Sequence, residues 1–171
     1  MHLSFMRLPS ISCLALLVAS CGNEELSPSE RARMDEADVA AVEAAQVPPP
    51  TPVQPGTIGM PDIEKFDMFG AGCSFAPGKG IATVALLQAE RGFMKIDNKI
   101  VVFAPDAGSG DLPLGAKGKY TGGAWSFILD LASEEGKQSG IETVNYPARL
   151  VLRNDHDQIV YQEDGTAQCG S

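Results

Sequence analysis

Few side chains in this sequence have the types and spacing that chemistry requires, and His156 is the first of them to consider. It lies between Asp155 and Asp157, and an imidazole flanked by carboxylates can act as a general base or bind a metal ion. The segment Asn154–Asp157 also lies between two predicted strands, where polar turn residues are expected. Because His2 is the only other histidine, a histidine-rich zinc site within one chain is excluded. We therefore interpret this segment as a turn.

No catalytic motif accompanies His156. The sequence contains no nucleophile elbow, no phosphate-binding loop and no closely spaced pair of cysteines. We therefore expect no enzyme, no cofactor and no metal site, although a hydrolase whose Ser or Asp lies outside any motif stays open as an alternative. The formal net charge of −9 argues against a nucleic-acid partner, which would require clustered positive charge.

A small basic spot is the second candidate. Lys117 and Lys119 flank Gly118 immediately before Tyr120, and residues 69–171 carry nine Lys and Arg against twelve Asp and Glu. Binding residues are often found on loops carried by a rigid scaffold. Lys117, Lys119 and Tyr120 are therefore our candidate partner-binding loop, with an ordinary solvated loop as the alternative.

The N-terminal residues have the pattern of an export signal. Arg7 precedes a short apolar stretch, Ile11–Val18, which small residues follow, and this order is typical of a secretory signal peptide over residues 1–20. The apolar stretch is too short to span a membrane as a helix. Val18-Ala-Ser-Cys21 resembles the lipobox of bacterial lipoproteins, in which the cysteine is lipidated and becomes the new N-terminus.

The lipobox resemblance implies a membrane anchor at Cys21. Burial of an acyl chain in the bilayer contributes about 0.8 kcal/mol of binding free energy per CH₂, so more than one chain holds a protein on the membrane almost permanently. Gly22 stands where enterobacterial lipoproteins retained in the inner membrane carry Asp. The resemblance therefore favours a lipoprotein of the outer membrane that faces the periplasm, with inner-membrane retention as the less favoured location.

The remaining cysteines follow from this assignment. Cys13 leaves with the signal peptide and Cys21 carries the lipid, so Cys73 and Cys169 remain. Two cysteines near opposite ends of a domain in an oxidising compartment predict a disulfide. Two free thiols or a metal-binding pair are the alternatives, but no further ligands lie near them in the sequence.

Residues 21–68 read as a tether after the lipidated cysteine. The segment is acidic and rich in Ala and Pro, and its first 37 residues or so (22–58) lack aromatic residues, so it offers little to bury and we expect disorder. Ser27 and Glu30 form a capping-box pattern with Pro28 between them, which predicts a marginal helix up to Gln46. The prolines of Val47–Pro55 favour an extended spacer.

Residues 69–171 alternate apolar and polar side chains with a period of two. Trp125, Phe127, Leu129 and Leu131 share one face of a predicted strand. Asp97-Asn98 has the chemistry of a tight hairpin turn, and we expect a second hairpin turn at Glu163–Gly165. About eight such strands predict an all-β fold, either a small antiparallel sandwich or a barrel, whose first and last strands Cys73 and Cys169 would join.

One stretch of this domain resembles a known family. Leu112–Tyr120 followed by Thr121–Phe127 is similar to part of the periplasmic C-type lysozyme-inhibitor lipoproteins, which are small disulfide-closed β barrels. The resemblance implies that Ala116, Lys117 and Tyr120 would enter a lysozyme cleft. Ala116 and Lys117 replace the Ser and Gly of the family's loop, and its later Thr-Lys-Gly motif is not evident.

The sequence therefore leaves three functions open. The first is a lipid-anchored β domain that faces the periplasm and has a binding or envelope-structural role, with a protein or glycan partner contacted through the loops near Lys117–Gly123 and Asn154–Asp157. The alternative is an inhibitor of lysozyme-type glycan hydrolases. The third is the unrecognised hydrolase.

Overall fold

A computed structural model describes residues 27–171, so the predicted signal peptide and the lipobox with Cys21 lie outside the described residues. The chain divides into two compact units, one ending at Gln46 and one formed by Val47–Ser171.

The first unit contains one helix, α1 (Pro28–Gln46), which buries none of its residues. Its N-terminus has the predicted capping box: the Ser27 hydroxyl accepts a hydrogen bond from the Glu30 N–H at 3.3 Å, and the Glu30 carboxylate accepts one from the Ser27 N–H at 2.9 Å. The Ser27 hydroxyl and backbone N–H, by donating to this carboxylate, lower the pKa of Glu30. Among the described residues, no helix combines the length and apolar character that crossing a membrane requires.

The second unit is a closed antiparallel barrel, which confirms the all-β prediction. Its elements are α2 (Met60–Phe66), β1 (Gly72–Pro77), β2 (Ala85–Leu87), β3 (Gly92–Ile96), β4 (Lys99–Pro105), β5 (Lys119–Gly122), β6 (Trp125–Leu131), β7 (Lys137–Gln138), β8 (Val144–Arg153) and β9 (Ile159–Gly170). Eight strands are hydrogen-bonded in the order β6-β5-β4-β3-β2-β1-β9-β8, and pairing of β6 with β8 closes the ring. A ninth strand, β7, pairs with the first residues of β8.

The interior of the barrel is filled with side chains. Phe103 and Phe127 meet edge to face with their ring centroids 4.8 Å apart, a favourable aromatic geometry. The larger fully buried side chains of this core are Phe75, Leu87, Met94, Phe103, Tyr120, Phe127, Leu129, Leu150 and Leu152. An eight-stranded barrel has room for either side chains or one small ligand, and this one is occupied by its own residues.

A second apolar cluster lies on the outside of the barrel and changes the predicted domain boundary. Ile58, Met68 and Phe93 are buried together, and Ile63 and Phe66 of α2 pack against them. The compact unit begins at Val47, so the boundary predicted between residues 68 and 69 lies too late. Composition suggested a disordered tether because it does not show that these few apolar residues have a partner on β3.

The backbone of this leading segment is also bound to the barrel. The Val53 N–H donates to the Val160 carbonyl at 2.9 Å, and Gly56 forms an isolated antiparallel bridge with Lys95. These bonds satisfy backbone groups that an extended spacer would leave to water.

The two cysteines lie opposite each other on neighbouring strands. Cys73 of β1 is in register with Cys169 of β9, and their sulfur atoms lie 2.02 Å apart, at disulfide distance. Both residues are buried in the core. The pair therefore joins the first strand of the barrel to the last, as the predicted pairing requires.

One predicted hairpin turn is confirmed and the other is wrong. Asp97 and Asn98 have φ of 48° and 62° and join β3 to β4, as a primed turn requires. The turn predicted at Glu163–Gly165 does not form, because β9 runs straight through it. A Cβ on Gly165 would lie 2.2 Å from the Ala76 carbonyl oxygen, so this glycine permits close strand approach instead of a turn.

Two segments predicted as Gly-rich loops also contain strands. Gly115–Gly123 includes β5, and Ser133–Gly140 includes the two-residue strand β7. The predicted strand over Ile81–Gln88 is present only as β2. The bounds of these strands depend on which neighbouring strands they pair with, and glycine content does not show that pairing.

Candidate functional site

The loop before β5 is a compact structure made mainly by its own hydrogen bonds. Asp111 forms an isolated bridge with Lys117, and the Leu112 N–H donates to the Ala116 carbonyl at 2.8 Å. The Ser109 hydroxyl donates to the Asp106 carbonyl at 2.7 Å and accepts from the Lys119 N–H at 3.1 Å. The loop is therefore held at both ends and joins directly to the strand that pairs with β6.

Tyr120 is a core residue, and its assignment to an exposed partner-binding loop is wrong. Its side chain is fully buried, its ring stacks on Phe127 at 5.1 Å, and its hydroxyl donates to the Gln88 carbonyl at 2.6 Å. The same hydroxyl accepts from the Lys117 N–H at 2.9 Å. Burial raises the pKa of this phenol. Tyr120 therefore anchors the loop instead of presenting a surface.

Lys117 and Lys119 reach solvent in part, and each is paired with an aspartate. The Lys117 ammonium forms an ion pair with Asp111, and the Lys119 ammonium lies 3.8 Å from the Asp106 carboxylate. Exposed ion pairs of this kind contribute little to stability. Their consequence is electrostatic, because the predicted basic spot is locally neutralised.

Beside this loop lies an open groove of about 410 Å³. One wall is the loop Ser109–Leu112 with Gly118 and Lys119, and the other is the last part of β6. Apolar side chains from both walls, including Leu112 and Ile128, line it together with the acidic residues Asp111, Asp130 and Glu134. Of these three carboxylates, only that of Asp111 is in an ion pair within the described part of the chain. Asp130 lies opposite Arg149 of β8, whose guanidinium forms its ion pair with Asp164. The groove therefore combines an apolar lining with acidic side chains.

The second predicted contact loop is an exposed turn. The Asn154 side-chain carbonyl accepts hydrogen bonds from the N–H groups of His156 at 3.1 Å and Gln158 at 2.9 Å, as in an Asx turn. The His156 imidazole is half exposed and lies 3.8 Å from the Asp155 carboxylate. Residues 27–171 hold no group of three or more His, Cys, Asp or Glu arranged for a metal ion. His156 is thus in the polar turn that its sequence context predicts.

Sequence reasoning came near the groove but missed the residues that give it its charge. Asp130 is exposed near the end of β6, on the face opposite Phe127 and Leu129, and Glu134 follows soon after the strand. Both looked like ordinary solvated positions. These carboxylates could be recognised only by knowing that β5 ends before β6 does. That depends on how β5 and β6 are paired, and the period-two pattern does not show the pairing.

Comparisons of the chain with protein-family models, with curated proteins and with solved structures found no match.

Proposed function

We propose that this protein is a lipid-anchored protein of the bacterial cell envelope, facing the periplasm, whose barrel binds a partner on its outer surface. The observation that carries the binding role is the groove beside Ser109–Leu112 on a barrel whose interior is already filled. Because side chains fill the core, a ligand would bind on the outer surface of the barrel. A groove with an apolar lining and a few polar groups is a common form of binding site.

The anchor and the location are supported by the sequence around Cys21. Val18–Cys21 resembles a lipobox, and Gly22 favours the outer membrane. The pair at disulfide distance, Cys73 and Cys169, fits an oxidising compartment outside the cytoplasm. Helix α1, which buries none of its residues, suits a spacer between an anchor and a folded domain.

A binding role is favoured over catalysis by the isolation of the one candidate acid–base group. His156 lies on an exposed turn, with the Asp155 carboxylate 3.8 Å from its imidazole. General acid–base catalysis needs the reacting proton within hydrogen-bond reach and usually a shielded site. This turn offers neither a cavity nor a positioned nucleophile.

The lysozyme-inhibitor alternative gains no support from the geometry. Two of the three residues to which the resemblance assigns enzyme contact, Ala116 and Tyr120, are fully buried, and the third, Lys117, is in an ion pair with Asp111. A turbidity assay with lysozyme tests this alternative directly, and we expect no slowing of cell-wall lysis.

The anchor is tested by metabolic labelling with an alkyne fatty acid. We expect the label on the wild-type protein and on Cys13→Ser, whose cysteine lies in the predicted signal peptide, and no label on Cys21→Ser. Labelling of Cys21→Ser at the wild-type level, or an unlabelled wild-type protein, would contradict the lipoprotein assignment. Cell fractionation of the wild-type protein then distinguishes the outer membrane from the inner membrane.

A further inference from the structure

The groove lies along an exposed edge of the barrel sheet. The last registered pair between β5 and β6 is Lys119 with Ile128, while β6 continues to Leu131 on its other side against β8. Within the described part of the chain, no strand pairs with the β5-facing edge of Leu129–Leu131. The barrel sheet therefore has a short open edge at this end of β6, and the groove lies along it.

The backbone groups on this edge can be assigned from the hydrogen-bond pattern. The Leu129 N–H donates to the Gly118 carbonyl at 2.9 Å, so Leu129 directs its backbone groups toward β5. The alternation of an antiparallel ladder directs the N–H and C=O of Leu131 to the same side. Ala132 directs its own toward β8, since its N–H donates to the Pro147 carbonyl at 2.8 Å. Leu131 thus offers a donor and an acceptor to the groove.

The charge beside this edge is negative. Asp130 points outward from β6, and Glu134 lines the far end of the groove. Among the described residues, neither carboxylate is in an ion pair: Arg149, in register with Asp130 on β8, forms its ion pair with Asp164. The nearby lysines Lys117 and Lys119 are paired with Asp111 and Asp106. The surface is therefore complementary to a ligand that carries positive charge.

We propose that this groove, defined by Ser109–Leu112 and Leu129–Glu134, binds an extended cationic peptide segment of a partner protein. The segment adds as a short strand beside Leu129–Leu131, as peptides do in β-augmentation. Its alternate side chains contact the apolar lining, and its Lys or Arg residues lie near Asp130 and Glu134. This inference rests on the proposed binding role but not on the lipid anchor.

A second copy of the chain fits this groove less well than a basic peptide. The chain carries a formal net charge of −9, so two copies would repel each other. An open strand edge can still pair with the same edge of a second copy and form a dimer. Self-association is therefore one outcome of the experiment.

The experiment uses the purified full chain in a neutral detergent and three fluorescent eight-residue peptides. The first alternates Lys with Val, the second alternates Glu with Val, and the third is the Lys peptide with alternate backbone nitrogens methylated. We expect saturable binding of the first alone, measured by fluorescence anisotropy. Equal binding of the Glu peptide would overturn the charge argument, and equal binding of the methylated peptide would overturn strand addition. No binding of any peptide up to about 1 mM would overturn the proposal.

Protein variants locate the site. We expect Asp130→Asn with Glu134→Gln to weaken binding of the Lys peptide about tenfold, since each exposed charge pair contributes a modest factor. The matched control removes two other exposed carboxylates, Glu64→Gln with Glu163→Gln, and leaves binding unchanged. Gly110→Leu is expected to abolish binding without unfolding the barrel, because a Cβ there meets no atom within 4 Å.

The remaining outcomes also decide the question. Equal weakening by the control pair would show a non-specific charge effect and overturn the site. Dimerisation of the peptide-free chain that Gly110→Leu abolishes would assign the groove to a second copy. If the fatty-acid label is absent but the Lys peptide binds, the anchor fails while this inference stands. If the label is present but no peptide binds, the inference alone fails.

Discussion

Two neighbouring stretches of the chain, residues 28–46 and 47–68, were both expected to belong to one tether but differ in structure. Large apolar residues are fewer in the first, which has Met34, Val39 and Val42, than in the second, which includes Ile58, Phe66 and Met68. The first forms α1 and buries nothing, whereas the second places Ile58 and Met68 in an apolar cluster. The difference shows that a few apolar residues can attach a segment to a domain when the domain offers a matching surface, here Phe93 of β3.

Removal of the disulfide should have the largest effect on stability. It also distinguishes the two stretches, because residues 47–68 pack against the barrel, whereas α1 buries none of its residues. A link spanning 96 residues is worth about 4–5 kcal/mol in the chain-entropy model. We expect Cys73→Ala with Cys169→Ala to lower the free energy of unfolding by up to that amount, measured by urea denaturation with Trp125 fluorescence. Protection of the Ile58 amide from hydrogen exchange should fall in parallel, while the circular dichroism of α1 is retained. Cys13→Ala is the control, and it should leave stability unchanged.

The next effect tests the attachment itself. Ile58 is 5% exposed, and truncation of a buried isoleucine to alanine costs about 2–5 kcal/mol. We expect Ile58→Ala to destabilise the barrel unit by the lower half of that range, since its cluster is small. The matched truncation in α1, Val39→Ala, removes a side chain that is 57% exposed and should change stability by less than about 0.5 kcal/mol. Equal effects of the two substitutions would break the comparison.

A pH-dependent contribution holds helix α2 to the barrel. The Asp62 carboxylate accepts from the Gly59 N–H at 3.0 Å and lies 3.0 Å from the Lys95 ammonium. The hydrogen bond from Gly59 and then the bond from Lys95 lower the pKa of Asp62 below its ordinary value of 3.8. Its contribution to stability is therefore fully present above that value and is lost as the pH falls through the lower pKa of the folded state.

Asp62→Asn should accordingly lower the thermal unfolding temperature at neutral pH and flatten its decline on acidification. Glu64→Gln, an exposed carboxylate change on the same helix, is the control and should preserve the wild-type acid profile. If the two variants show the same acid profile, the Asp62–Lys95 contact does not attach α2.

The smallest effect concerns the other stretch. Ser27→Ala removes the side-chain acceptor at the N-terminus of α1, and loss of such a cap costs about 1 kcal/mol of helix stability. We expect less ellipticity at 222 nm with no change in the urea midpoint of the barrel. Ser139→Ala, on an exposed loop, should alter neither. A shift of the barrel midpoint by Ser27→Ala would show that the cap contributes to the second unit.

The candidate site could be predicted only in part from the sequence. Lys119 does line the groove, and Lys117 is in an ion pair with Asp111, which also lines it, since a polar segment between strands is commonly exposed. Tyr120 was misplaced because its register opposite Phe127 turns its ring inward, and a one-residue shift would have turned it outward. The carboxylates of the groove and the open edge of β6 depend on where β5 ends, which is a property of the pairing.

Local chemistry was sufficient for the elements themselves. The period-two spacing of Trp125, Phe127, Leu129 and Leu131 predicted β6. Asp97-Asn98 predicted a hairpin turn, and Ser27 with Glu30 predicted the start of α1. Each of these depends on residues within a few positions of one another, where backbone conformation and side-chain type are directly coupled. From these elements the sequence predicts an all-β domain, with sandwich and barrel both open.

Long-range pairing decided the rest. The contact between β6 and β8 closes the sheet and so selects the barrel over the sandwich, and close approach to Ala76 makes Gly165 part of a strand instead of a turn. Packing against Phe93 moves the domain boundary back to Val47. These outcomes depend on which distant segments meet, because buried area and hydrogen bonds are shared between partners that the order of residues alone does not pair.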